Sequence, residues 1–216
     1  MGAKRRRRMN LARPEPHMNI KQTVLIVCEG KNTEPSYFEQ FRVSTVTIKT
    51  VGVGEGTTRL VEQAKKIANN KTYEQVWVVF DKDHHSDSDF NQAIEVANSY
   101  KFGVAYSNQS FEYWILLHLI DHQGERLHRG EYENKINSQL KPYGIIYNND
   151  GKKLIKEDLF DLMSAVDNKT KQRRVNMAIT RARRNHKSFS NDNITPAKSE
   201  SSTTVYELVE VMLKYI

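Results

Sequence analysis

The strongest constraint on this chain is a regular alternation of short apolar, β-branched runs with segments of helical periodicity, continuing up to Ile120. Gln22–Cys28 (QTVLIVC) and Gln75–Phe80 (QVWVVF) carry apolar side chains at successive positions, which suits strands buried on both faces. Thr45–Val51 and Phe102–Tyr106 supply two further strands. Helical spacing appears between them. Tyr37, Phe38 and Phe41 mark a helix over Glu34–Arg42. Leu60, Val61, Ala64 and Ile67 mark one from Thr57, its expected N-cap, to about Ala68. Asp89–Tyr100 and the strongly apolar Phe111–Ile120 are two more. Strands and helices in this order predict an α/β fold, with a mostly parallel sheet flanked by helices.

Beyond residue 121 the strand signal fades. Segments near 130–141, 154–166, 170–187 and 203–216 read as helices, and Asn191–Ser202 reads as a polar loop. The expected organisation is a basic disordered tail over 1–20, an α/β core over 21–121 and a helical C-terminal part over 122–216 packed on that core. Gly52–Gly56 lacks the Lys-Ser/Thr of a P-loop and reads as a strand-to-helix turn. Cys28 is the only cysteine, which excludes an intrachain disulfide and a Cys-based zinc cluster. No apolar run approaches the ~20 residues that cross a bilayer, and no apolar h-region follows the basic N-terminus. The expectation is a soluble, cytoplasmic protein with no membrane contact.

In an open parallel sheet, ligands gather at the carboxyl ends of the strands. Glu29 follows the first strand, with Glu34 at the start of the next helix, and Asp81 and Asp83 end the third strand in F-D-K-D. Strand side chains repeat every two residues, so Asp81 and Asp83 are expected to point the same way. If the first and third strands are neighbours, Glu29 joins that pair. Carboxylates so gathered repel unless a cation is present, and an all-oxygen site suits Mg²⁺. Taken singly, an acid leaving a strand is more often a turn former or helix cap than a ligand, and Gly30 is explained by a tight turn.

Four strings carry a family resemblance: I-V-C-E-G-K-N-T-E-P-S-Y-F, V-F-D-K-D, S-N-Q-S-F-E-Y-W-I-L-L-H and S-T-T-V-Y-E-L-V. Together they resemble the RloB-like family, whose hydrophobic strand ending in Glu-Gly and later Asp-x-Asp look like a Toprim fold related to OLD-type nucleases. The resemblance implies a Mg²⁺- or Mn²⁺-dependent nuclease, with one or two ions, acting on DNA or RNA (tRNA included) in abortive infection or restriction-modification. It also implies an RloA-like ATPase as partner. Glu29 would be the general acid/base, Asp81 and Asp83 metal ligands, and Glu34 an additional metal carboxylate. Glu29 would itself be a metal residue as well. No topoisomerase companion domain fits this length and no primase zinc ribbon is present, so hydrolysis is the expected chemistry. The alternative is a non-catalytic nucleic-acid-binding or regulatory subunit with the same fold. Self-association is left open.

Secondary motifs add candidates. Ser107 and Asn108 are placed beside substrate phosphate, and Glu112 at the metal or as a second base. Capping by Ser110 or Asn108, and the helix dipole for Glu112, are the structural alternatives. Lys169–Lys187 has eight basic residues and no acid. Val175, Ala178, Ile179 and Ala182 form its apolar stripe, and Arg173, Arg174, Arg181 and Arg184 are candidate phosphate contacts. Lys31 joins them, with Arg5 and Arg6 of the tail. Residues 1–20 hold six basic residues against Glu15, five of the seven net positive charges of the chain. A solvated face or tail with no partner is the alternative for both runs. His84 and His85 read as a surface loop, and His118 and His122 as helix-surface or core-edge residues.

Overall fold

The computed structural model describes residues 23–51 and 56–216. Arg5, Arg6 and the rest of the basic tail lie outside the described residues, as does most of the Gly52–Gly56 turn.

The apolar runs form the middle of a five-stranded sheet. Its strands are β1 (Val24–Cys28), β2 (Val46–Thr50), β3 (Gln75–Asp81), β4 (Gly103–Asn108) and β5 (Ser202–Thr203), in the order β2-β1-β3-β4-β5. The first four are parallel; β5 runs antiparallel to β4. Period-two alternation sorts the side chains into two cores. Leu25, Val27, Val76, Val78 and Phe80 face one layer, made by α2 (Thr57–Ala68) and α3 (Asp87–Ser99). Val24, Ile26, Cys28, Trp77 and Val79 face the other, which begins with α1 (Thr33–Glu39) and α4 (Glu112–Leu119).

α4 is buried at seven consecutive positions, Glu112–His118, so it needs protein on every side. Helices α5 (Tyr132–Leu140), α6 (Glu157–Ser164), α7 (Arg174–Asn191) and α8 (Val205–Met212) provide it; Tyr132, Ile136, Leu159, Val175 and Leu208 share the core cluster with Trp114 and Leu116.

Three local expectations are corrected. Thr57 is not the N-cap of α2: Gly56, at φ +83°, precedes the helix, and the Asp89 carboxylate accepts the Thr57 N–H at 2.9 Å. The polar Asn191–Ser202 stretch contains a 3₁₀ turn at Pro196–Lys198 and leads into β5, too short a strand for a periodic signal. His118 is buried among Trp114 and Tyr37, because α4 has no solvent face.

Candidate metal centre

β1 leads through α1 to β2 on one side, while β3 and β4 lie on the other. The carboxyl ends of β1 and β3 therefore flank a topological switch point, where parallel sheets bind ligands. The Glu29 N–H donates to the Val79 carbonyl at 2.9 Å, which fixes Glu29 against the strand that ends in Asp81. On the far side of β3, Asp81 is registered with Ser107 of β4. One Asp81 oxygen accepts the Phe111 N–H at 3.1 Å, just before α4. The switch point thus collects Glu29 just past β1, Glu34 from the first turn of α1, Asp81 from β3 and Glu112 from the first turn of α4.

These carboxylates act on one another. Burial, reinforced by the charges of Glu34 and Glu112, raises Asp81 well above the usual carboxylate range, against the opposing Phe111 amide. Burial first, then Glu112 and Glu29, push Glu34 up to about 7, although its own amide and that of Gly30 favour its charged form. Gly30 has a steric role: a Cβ there would fall on the Glu34 carboxylate, so glycine makes room for the acid. Glu112 differs. Its burial is outweighed by the Lys153 ammonium at 2.7 Å and by a hydrogen bond from Ser110, so its pKa is lowered. Tyr147 also donates to it, at 3.2 Å.

One oxygen of this donor set is met by nothing in the fold. Oδ1 of Asp81 is buried and has no hydrogen-bond partner among the described residues. Burying such an acceptor is costly unless something meets it. No group of three or more His, Cys, Asp or Glu side chains among the described residues is arranged to hold a metal ion. Mg²⁺ binds through one or two carboxylates and draws its other oxygens from water and phosphate, so it does not require such a group.

A family model described as RloB-like protein matches residues 24–212, from the start of β1 to the end of α8. The chain belongs to the RloB-like family. No curated protein and no solved structure gives a significant match.

The structure of this RloB-like chain gathers some of the expected site residues and disperses others. Asp83 lies two positions beyond Asp81, but β3 ends at Asp81 and Asp83 sits in a turn at φ +34°. Strand alternation therefore no longer governs it. It ion-pairs with Arg129 and lies 3.1 Å from Nε2 of His84. Ser107 and Asn108 are buried and face the C-terminal segment. Ser107 Oγ bonds Thr203 Oγ1 at 3.1 Å, and Asn108 donates to the Pro196 and Ala197 carbonyls. Their polar atoms hold β5 and the turn before it, which leaves them no face for phosphate.

Half of the basic run is paired within the fold. Arg174 is buried and donates to Asp167, to the Tyr143 hydroxyl and to the Leu162 carbonyl. Arg181 donates to the Leu117 carbonyl at 2.7 Å, and Arg184 to Asp121 at 2.8 Å. Arg173 remains exposed.

Several residues at the site went unassigned in the sequence. His85 reads in the sequence as part of a surface loop, yet its Nε2 lies 2.8 Å from Glu29 Oε1 and its Nδ1 3.7 Å from Asp89. Its position two residues behind Asp-x-Asp was the available signal. Lys153 was missed because it comes from a distant turn. That turn holds Lys153 at φ +54° with its N–H on Asn148 Oδ1 at 2.9 Å. Lys31, Lys152 and Lys153, together with Glu34, line an open cleft of about 360 Å³.

Proposed function

We propose that this RloB-like chain is a divalent-metal-dependent phosphodiesterase acting on nucleic acid, DNA or RNA, in antiphage defence. The observation that carries the reading is the buried, unpartnered Oδ1 of Asp81, set among Glu29, Glu34 and Glu112 at the switch point and beside a lysine-lined cleft. Asp81 and Glu34 would hold Mg²⁺ or Mn²⁺, with Glu29 bordering it and Asp83 joining once released from Arg129. When bound, the cation polarises the phosphodiester and stabilises developing charge on oxygen.

The chain's own residues supply the rest. Lys31 and Lys152 draw the phosphate backbone into the cleft. Lys153, ion-paired to Glu112, is placed where it neutralises charge at the cleft floor. Glu29, oriented by its hydrogen bond with His85, takes the proton from the attacking water. The phosphate track shifts accordingly from α7 to the rim made by Lys31 and Lys152. An RloA-like ATPase as the controlling partner belongs to the same proposal, since the Gly52–Gly56 stretch lacks the residues of a P-loop.

One observation favours a second reading. Arg129 already neutralises Asp83, and Lys153 already neutralises Glu112. In a non-catalytic nucleic-acid-binding subunit, such ion pairs would be permanent rather than exchanged for a metal. Incubation with plasmid, single-stranded DNA and total tRNA in Mg²⁺ or Mn²⁺, with and without the ATPase, separates the two. Cleavage that disappears in Asp81→Asn and Glu29→Gln supports the enzyme. Cleavage that persists in both refutes the mechanism, and binding without cleavage under every condition supports the subunit.

A further inference from the structure

The fold pairs Arg174, Arg181, Arg183 and Arg184 of the basic run with acids. Lys169, Lys171 and Arg173 are exposed and ion-pair with no described residue. These three share one turn. An antiparallel bridge between Val166 and Arg173 closes it. Asp167 organises it from within: its N–H donates to the Gln172 carbonyl, its carbonyl accepts from Lys171, and its Oδ1 accepts the N–H groups of Lys169 and Thr170. Asp167 is the sole acid of the turn, and its Oδ2 meets Arg174 at 3.1 Å. The outer surface of the turn is therefore cationic.

Arg174 also joins this turn to an aromatic ring. It donates to the Tyr143 hydroxyl at 3.0 Å, and its Cζ stands 5.5 Å from the centre of the Tyr143 ring. Arg174 is buried, so the ring is anchored from inside the fold, yet Tyr143 stays 49% exposed. The chain presents the ring stiffly. Tyr143 ends a single 3₁₀ turn, Lys141–Tyr143, with φ fixed at Pro142 and a left-handed Gly144 at φ +68° behind it. The same segment then reaches Tyr147, whose hydroxyl donates to Glu112 at the acidic centre. Four residues span at most ~14 Å, so the exposed ring lies within a few nucleotides of that centre.

A nucleotide uses an open aromatic face and nearby cations together, through its base and its phosphate. An acidic peptide would use the cations and leave the ring bare. We propose that Tyr143 is a stacking platform for an unpaired base, with Lys169, Lys171 and Arg173 on the flanking phosphates. The strand approaching the acidic centre is then single-stranded, because bases in a duplex stack on one another and offer the ring no face. The fate of the strand rests on the reading of this chain as a nuclease, but the binding needs neither metal nor cleavage.

Fluorescence anisotropy with the full chain in EDTA tests it, using a short labelled single strand, the same strand made abasic, and the corresponding duplex. Wild type should bind the single strand about tenfold more tightly than the abasic strand, the contribution of one stacked base. Tyr143→Ala should lose that tenfold on the single strand and bind the abasic strand unchanged. Tyr143→Phe, which keeps the ring and gives up only the hydroxyl contact with Arg174, should bind as wild type. Replacing Lys169, Lys171 and Arg173 together by alanine should weaken both single strands and lower the salt slope by about 2, at ~0.7 for each phosphate. Equal wild-type affinity for the single and abasic strands overturns the proposal, as does tighter binding of the duplex. A loss in Tyr143→Phe as large as in Tyr143→Ala overturns it too. Unchanged affinity in Tyr143→Ala, with cleavage retained in Mg²⁺ or Mn²⁺, removes the platform and leaves the enzyme standing. The expected tenfold loss in a chain that never cleaves supports the platform and removes the enzyme.

Discussion

Replacing Glu34 by glutamine should make the metal-free chain more stable near pH 8. Burial first, then the charges of Glu112 and Glu29, hold Glu34 at about 7 in the fold, against 4.5 for an unconstrained glutamate. Below about pH 4.5 both the folded and the unfolded chain hold this proton, and the carboxyl costs nothing. As pH rises from there, the unfolded chain releases its proton first, so stability falls; the loss is complete above about pH 7. A gap of about 2.5 pH units, at about 1.4 kcal/mol per unit, places that loss near 3 kcal/mol. Glutamine keeps an acceptor for the Gly30 N–H but loses the charge that strengthens that bond, so about 2 kcal/mol of gain remains. For a chain of this size that is a rise in Tm of about 4–8 °C. Thermal unfolding followed by circular dichroism in EDTA, at about pH 5 and about pH 8, reads it directly. Wild type should lose stability between the two and recover it with Mn²⁺. The variant should lose less and recover little, its residual slope coming from Asp81, which is raised in the same direction. Parallel losses in wild type and variant would refute the reasoning, because Glu34 would then not be a buried acid awaiting a cation.

The other expectations concern its neighbours. Gly30→Ala should cost about 1–3 kcal/mol in denaturant unfolding through overpacking against the Glu34 carboxylate; the cost should vanish in a Glu34→Ala background, and a cost that survives there refutes the contact. Lys153→Ala leaves the buried Glu112 without its cation and should destabilise the chain by about 1–2 kcal/mol near pH 7, the partial exposure of Lys153 tempering the loss. That loss should shrink in acid, where Glu112 is protonated; equal losses at both pH values would count against it. His118 is depressed from 6.5 to about 4, mainly by burial, so the stability it contributes is intact above about pH 6.5 and is lost as pH falls towards 4. The gap corresponds to about 3 kcal/mol, and His118→Phe should remove that much of the acid sensitivity in unfolding titrations at about pH 7 and pH 4.

What was legible in the sequence was decided over short distances. The apolar runs of β1 and β3 are visible because every residue of a doubly buried strand meets the same environment, and their carboxyl ends locate Glu29 and Asp81 together once the strands are neighbours. Asp83 escaped because period two holds only while the strand lasts, and β3 stops at Asp81. The pairing of charges was illegible for a different reason. Lys169–Lys187 contains no acid, and read along the chain it is a uniform positive face. Folding brings Asp121 from the end of α4 to Arg181 and Arg184, Glu210 from α8 to Arg183, and Asp167 from the preceding turn to Arg174. The reverse happens at the cleft, where Lys31 and Lys152–Lys153, far apart in sequence, line one opening with Glu34. Net charge over a window describes sequence neighbours, whereas a phosphate responds to spatial ones within a Debye length of about 8–10 Å. Half of the stretch that reads as a uniform positive face is therefore paired with acids by the fold, while Lys31, Lys152 and Lys153 form a cluster that no window would have grouped.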